Sequence, residues 1–112
     1  MKVRVGTDLV DLDRFRRKIH DHAQILPKIF TRSELQNKNL IHLAGVFAAK
    51  EAVLKALDLP PGSWLKLEVA YRQNGKPFLK FEKSINQKIK SCDLSITNER
   101  HYAQATFVAI LK

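Results

Sequence analysis

The stretch from Ile41 to Leu57, IHLAGVFAAKEAVLKAL, constrains the fold more than any other part of this chain. It holds no proline and is rich in alanine and leucine, so propensity and length predict one helix of about four to five turns. It is apolar almost all round, the pattern of a helix buried on most of its surface. Lys50, Glu51 and Lys55 interrupt that pattern toward its C-terminal half. At about 100° per residue, Glu51 and Lys55 lie about 40° apart on one face, with Lys50 turned about 100° from Glu51. An i,i+4 Glu51–Lys55 pair on solvated surface accounts for two of these charges and contributes only about 0.2–0.5 kcal/mol. If the apolar flanks keep that face partly dry, an unpaired carboxylate becomes costly, and a metal ion, a phosphate or another chain must lie beside it.

With 112 residues the chain is expected to form a single domain, residues 1–112, around one core. An apolar content of 45% and a charged content of 28% are those of an ordinary soluble globular protein. No apolar run is long enough for a membrane span and the N-terminal residues lack an apolar signal core, so a cytoplasmic protein without membrane association is expected. The single Cys92 has no intramolecular partner, which agrees with a reducing compartment, and is read as a buried structural thiol. The net charge of +9 is spread over both halves and calls for an anionic partner: nucleic acid, anionic lipid, a phosphorylated small molecule or an acidic protein. Nucleic acid has only the charge in its favour, because the aromatic residues mostly sit in apolar patterns rather than in an exposed stacking motif.

In chain order, Val3, Val5, Leu9 and Val10 mark a first strand interrupted near its end by Asp8, which either caps the following helix or binds a metal. Asp11 and Asp13 open a helix to about Ile19, with Leu12, Phe15 and Ile19 inward and Arg14, Arg16, Arg17 and Lys18 mostly outward. Acid first and base last suits the helix dipole, and the four cations also make a docking surface for an acidic helix. His20-Asp21-His22 lacks further ligands at metal-site spacing and reads as solvated. Ile25 to Phe30 is an apolar connector broken by Pro27, and Thr31-Arg32-Ser33-Glu34 has the form of a capping box opening a short helix. After the long helix, Pro60-Pro61-Gly62 is a stop. Trp64 to Arg72 alternates as a strand, Asn74-Gly75-Lys76-Pro77 turns, and Phe78 to Phe81 returns. Ser84 to Lys90 reads as a short basic helix, and Asp93 to Thr97 and Tyr102 to Leu111 as two strands joined by Asn98-Glu99-Arg100-His101. This order predicts an α+β fold with a mostly antiparallel sheet packed against the long helix.

Several of these segments together resemble the small holo-(acyl-carrier-protein) synthases, a family of 4′-phosphopantetheinyl transferases. Val5-Gly6-Thr7-Asp8-Leu9-Val10, with Arg14 following, is similar to that family's opening G-x-D-[IL]-V signature. Phe30-Thr31-Arg32-Ser33-Glu34-Leu35 resembles its F-T-x-x-E-L segment, and Leu43 to Ala56 its L-A-G-R-F-A-A-K-E-A-x-x-K-A helix. Asn74-Gly75-Lys76-Pro77, Leu94-Ser95-Ile96-Thr97 and Tyr102-Ala103 recur in the same order, so the likeness covers nearly the whole chain.

The resemblance implies the 4′-phosphopantetheinyl transferase fold and a transfer of the phosphopantetheine arm of coenzyme A to a serine of an acyl carrier protein, with Mg²⁺, releasing 3′,5′-ADP, in fatty-acid and lipid biosynthesis. By position it implies Asp8 and Glu51 as metal ligands and, with Lys55, as the catalytic group. It further implies Lys50, Lys55, Lys76, Pro77, Thr97 and Asn98 at coenzyme A, and Arg14 and Arg17 at the carrier protein. A homotrimer with active sites between subunits is implied as well. Three positions depart from the family pattern: Val46 stands where an arginine is usual, Asn98 where a histidine is usual, and Asp58-Leu59-Pro60-Pro61-Gly62 where a glycine-rich loop is usual. These keep open a second reading, a divergent member that binds carrier protein or coenzyme A without catalysis.

Overall fold

Alternation along the first strand decides how the molecule is layered. In the computed structural model, which describes residues 2–112, strand β1 spans Lys2–Asp11 and turns Gly6, Asp8 and Val10 to one side, Val3, Val5 and Leu9 to the other. It pairs antiparallel with β5 (Tyr102–Leu111), Gly6 opposite Phe107 and Asp8 opposite Ala105, and β5 pairs antiparallel with β4 (Ile89–Glu99). The result is a three-stranded sheet in the order β1-β5-β4. A two-stranded antiparallel hairpin, β2 (Leu67–Tyr71) and β3 (Pro77–Phe81), closes through Gly75, whose φ of 88° is open to glycine without strain.

Helix α3 (Leu40–Leu57) lies across the inner face of the larger sheet. Asn39 caps it by accepting from the His42 N–H at 3.1 Å, and Asp58 ends it in the left-handed region, φ 53°. Alanine makes the helix–sheet contact close: Ala44, Ala48, Ala52 and Ala56 on the helix and Ala103, Ala105 and Ala109 on β5 are all buried, with Phe107 filling the space between them. The tightest point is Gly6, where an added Cβ would stand 1.9 Å from the Ala52 carbonyl oxygen and 3.1 Å from the Ala56 Cβ. Only a residue without a side chain lets β1 lie this near the helix backbone.

The remaining elements pack around this unit. Helix α1 (Leu12–Asp21) starts at Asp11, whose carboxylate accepts from the Arg14 N–H at 3.0 Å; the cap is therefore Asp11 and not Asp8. Leu12 and Phe15 are buried, while Arg14, Arg16, Arg17 and Lys18 are exposed. Pro27 does not break the connector after α1 but occupies the first turn of α2 (Leu26–Ile29), where its missing N–H costs nothing. The expected capping box is present, with Thr31 N–H donating to Glu34 at 2.8 Å and Glu34 N–H to the Thr31 hydroxyl at 3.3 Å, but it opens only a single 3₁₀ turn, Glu34–Gln36.

Three expectations shift. Trp64–Lys66 is a 3₁₀ turn rather than the start of β2, and Ile89 begins β4 instead of closing a helix, leaving α4 (Lys83–Asn86) one turn long. Cys92 is exposed rather than buried, because β4 is an edge strand; desolvation and the neighbouring Asp93 still push its thiol pKa up, which disfavours the reactive thiolate. No helix among the described residues is long and apolar enough to cross a membrane.

Replacing Gly6 by Ala is expected to force α3 off the sheet, at a cost of about 3 kcal/mol or more, the upper range for overpacking. Chemical denaturation would show this as a fall in the midpoint with little change in slope; an unchanged midpoint would mean the contact is looser than described.

Candidate active site

Because the side chains of β1 alternate, the acid two residues beyond Gly6 falls on the same side as the helix contact. Asp8 is largely buried and accepts from the Lys55 ammonium at 2.9 Å; the same ammonium donates to the Thr7 carbonyl at 3.1 Å. The expected Glu51–Lys55 pair within the helix is thus replaced by a bridge from helix to strand. One face over, Glu51 is half-buried and its Oε2 accepts from the Trp64 indole N–H at 3.2 Å. Trp64 packs on Phe47, which packs on Phe15, with ring centroids 6.1 and 5.8 Å apart.

Asp8 and Glu51 line one open hollow of about 400 Å³, together with Asp11, Arg14, Lys18, Phe47 and Tyr102. Two carboxylates that are far apart in sequence therefore reach one space walled by aromatic rings and rimmed by cations. Asp8 Oδ2 and Glu51 Oε1 have no hydrogen-bond partner among the described residues, so each acid presents one open oxygen. That donor set suits a hard divalent cation that keeps several water or phosphate ligands. No three His, Cys, Asp or Glu side chains among the described residues are grouped closely enough to hold a metal ion by themselves, and His20, Asp21 and His22 are exposed at the end of α1.

Lys50, expected near phosphate oxygens, is instead fully buried, and all three of its donors are used. They reach Glu34 at 2.7 Å, the Ile29 carbonyl at 2.8 Å and the Trp64 carbonyl at 3.0 Å. Burial pushes the Lys50 pKa down, while the hydrogen bond and charge of Glu34 and the charge of Glu68 push it back up. Glu34 also accepts from the Val69 N–H at 2.7 Å, and Thr31 donates to Glu68. This ion pair ties the segment after α2, helix α3 and the hairpin together.

Lys76 and Pro77 line a different, smaller cleft with Arg72, Phe78 and Asp93, and Lys76 pairs with Asp93 at 2.9 Å. Thr97 and Asn98 are exposed on β4, with β5 between them and β1; Thr97 lies opposite Gln104, as does Leu9 from the other side. One chain therefore unites Asp8, Glu51, Lys55 and Arg14 but not Lys76, Pro77, Thr97 and Asn98. Val46 is buried in the core, so its position offers nothing to a ligand. The contact that the sequence reading missed is that of Trp64 with Glu51: thirteen positions from Glu51, in a stretch read as strand, Trp64 carried no local signal for it.

Residues 4–106 match the model of the 4′-phosphopantetheinyl transferase superfamily. The holo-[acyl-carrier-protein] synthase of Protochlamydia amoebophila is 37% identical over 116 residues, covering 94% of this chain and 95% of that protein. Among solved structures, Helicobacter pylori holo-[acyl-carrier-protein] synthase in complex with coenzyme A has a TM-score of 0.85 at 27% identity, covering 95% of this chain and 99% of that one. A holo-(acyl-carrier-protein) synthase from Bacillus anthracis in complex with CoA (3′,5′-ADP) has a TM-score of 0.78 at 29% identity, covering 95% and 94%. The chain belongs to the 4′-phosphopantetheinyl transferase superfamily, and within it to the holo-(acyl-carrier-protein) synthases, with the α+β fold of that family. It is accordingly a transferase.

Changing Lys50 to Met should cost about 3–5 kcal/mol, since it leaves Glu34 buried without its counter-charge. Denaturant unfolding measures this, and a loss below about 1 kcal/mol would show that the pair is dispensable.

Proposed function

We propose that this chain transfers 4′-phosphopantetheine from coenzyme A to a serine of an apo acyl carrier protein, with Mg²⁺, releasing 3′,5′-ADP, and so serves fatty-acid biosynthesis. The observation that carries this reading is the meeting of Asp8 and Glu51 in one hollow, each with an open oxygen. Support for coenzyme A as the donor comes from the relatives whose structures hold it.

Asp8 and Glu51 are the residues that would hold Mg²⁺, with waters and the coenzyme A diphosphate completing the shell. When bound, the ion would neutralise charge developing on the diphosphate. Phosphoryl transfer asks the protein mainly to position the reactants and stabilise charge. Lys55 does both: two of its donors fix Asp8 and the Thr7 carbonyl, and the third is free, on a side chain 57% exposed, to meet a phosphate oxygen. Arg14 lines the hollow and Arg17 lies exposed on the same helix, so an acidic carrier protein docked on α1 would present its serine to this space.

The assembly we propose is a homotrimer in which a neighbouring subunit completes each site. The outward face of β1 supports it: Val3, Val5 and Leu9 are 60%, 67% and 62% exposed, with Val108 of β5 beside them, an exposed apolar sheet face that no helix among the described residues covers. Residues of the coenzyme A set that one chain keeps apart, Lys76, Pro77, Thr97 and Asn98, would reach the diphosphate site from the neighbour. The buried Val46 favours the second reading, a binder without turnover, because it supplies no phosphate contact.

Incubation with apo acyl carrier protein, coenzyme A and Mg²⁺ should add the mass of one phosphopantetheine group to the carrier; binding of both partners with no mass gain would establish the second reading. Asp8→Ala and Glu51→Ala should each lower the rate at least a hundredfold with the circular dichroism spectrum retained, and unchanged rates would displace the metal site. The double variant Arg14→Glu, Arg17→Glu should raise KM for the carrier at least tenfold and leave KM for coenzyme A within about threefold. Equal loss of both would count against docking on α1.

A further inference from the structure

We propose that Trp64 is a positioning residue for the metal site: its indole N–H occupies one oxygen of Glu51 and so presents the other to a divalent cation in the hollow shared with Asp8. This rests on the reading of Asp8 and Glu51 as metal ligands. The indole donates to Glu51 Oε2 at 3.2 Å, and the other oxygen, Oε1, has no hydrogen-bond partner among the described residues. An indole N–H is a donor only, so it engages one carboxylate oxygen and cannot itself compete for a cation. A carboxylate with one oxygen engaged this way offers a single oxygen, the monodentate mode that a small octahedral cation accepts.

Trp64 can do this because it is itself held at both ends. Its carbonyl accepts from the buried Lys50 ammonium at 3.0 Å, and its ring packs on Phe47 at 6.1 Å. The 3₁₀ turn that carries it is tied to the loop before it, where the Ser63 hydroxyl donates to the Pro60 carbonyl at 2.7 Å and the Lys66 N–H to the Ser63 carbonyl at 3.2 Å. A chain of contacts thus runs from Glu34 through Lys50 and Trp64 to Glu51. The buried ion pair acquires a role beyond packing: it anchors the group that aims the ligand. Groups that orient metal ligands in this manner typically change metal affinity by about 10–100-fold when removed.

The test uses Mn²⁺ as the probe, its free concentration read by electron paramagnetic resonance with coenzyme A present. Trp64→Phe keeps the ring against Phe47 and removes only the N–H. With melting temperature and circular dichroism near wild type, this variant should bind Mn²⁺ about tenfold more weakly. Coenzyme A affinity without metal should stay within twofold, and kcat at saturating Mg²⁺ within threefold. Because Trp64 is the sole tryptophan, its emission in the wild-type protein should be quenched as paramagnetic Mn²⁺ fills the site, and Glu51→Gln should abolish the quenching. That measurement stands even if Trp64→Phe does not fold. Mn²⁺ affinity within twofold of wild type in Trp64→Phe, alongside a clear loss in Glu51→Gln, would overturn the role of Trp64 alone. Unchanged affinity in Glu51→Gln, or no quenching in the wild type, would overturn it together with the metal site.

Discussion

The structure depends on how closely β1 approaches α3. Helix–sheet packing normally keeps side chains between the two backbones, and here the absence of one at Gly6 lets the strand lie against the Ala52 carbonyl. The consequence is chemical as well as mechanical. Asp8 stands two residues along the strand from that contact, and Glu51 and Lys55 each precede by one residue an alanine that touches it, Ala52 and Ala56. The same small-residue seam that makes the core dense is therefore what brings one carboxylate from the strand and one from the helix to a common hollow. A larger residue in the seam would stress the core and widen the gap between the acids together.

The second organising interaction is the buried pair of Lys50 and Glu34. Its desolvation is costly, and a buried pair is weak evidence for stability in itself. What it supplies is register. Lys50 gathers Glu34, the Ile29 carbonyl and the Trp64 carbonyl, while Glu34 also takes the Val69 N–H, so α2, the turn at Glu34, α3, the turn at Trp64 and β2 share one set of bonds that uses every donor of the Lys50 ammonium. Adjacent residues on α3 thus divide the labour: Lys50 faces inward and holds the segments, and Glu51 faces the hollow.

Much of this was legible in the sequence for identifiable reasons. The long helix announced itself by length, alanine content and lack of proline; the Asn74–Pro77 turn by its glycine; β1 by alternation; and β5 and the middle of β4, Asp93 to Thr97, as strands around a polar turn. Asp8 and Glu51 were singled out because a carboxylate is out of place in a strand and in an apolar helix. Lys50 was misjudged because it was grouped with the nearby charges Glu51 and Lys55, whereas its partners Glu34 and the carbonyls of Ile29 and Trp64 are fixed only by tertiary packing. The Lys55 partner was misplaced for the same reason: an i,i+4 rule sees Glu51 but not Asp8 on another element. Ile89 looked helical because Ile85 precedes it by four, yet pairing with Leu111 draws it into β4. Where local spacing and long-range pairing competed, pairing won.

The central claim is that Asp8 and Glu51 grip one cation between strand and helix. The most direct measurement is the anomalous diffraction of a crystal of this protein grown with Mn²⁺ and coenzyme A. A single metal peak is expected about 2 Å from one oxygen of Asp8 and one oxygen of Glu51, with the diphosphate on its open side. A peak that touches only one of the two acids, or neither, would contradict it.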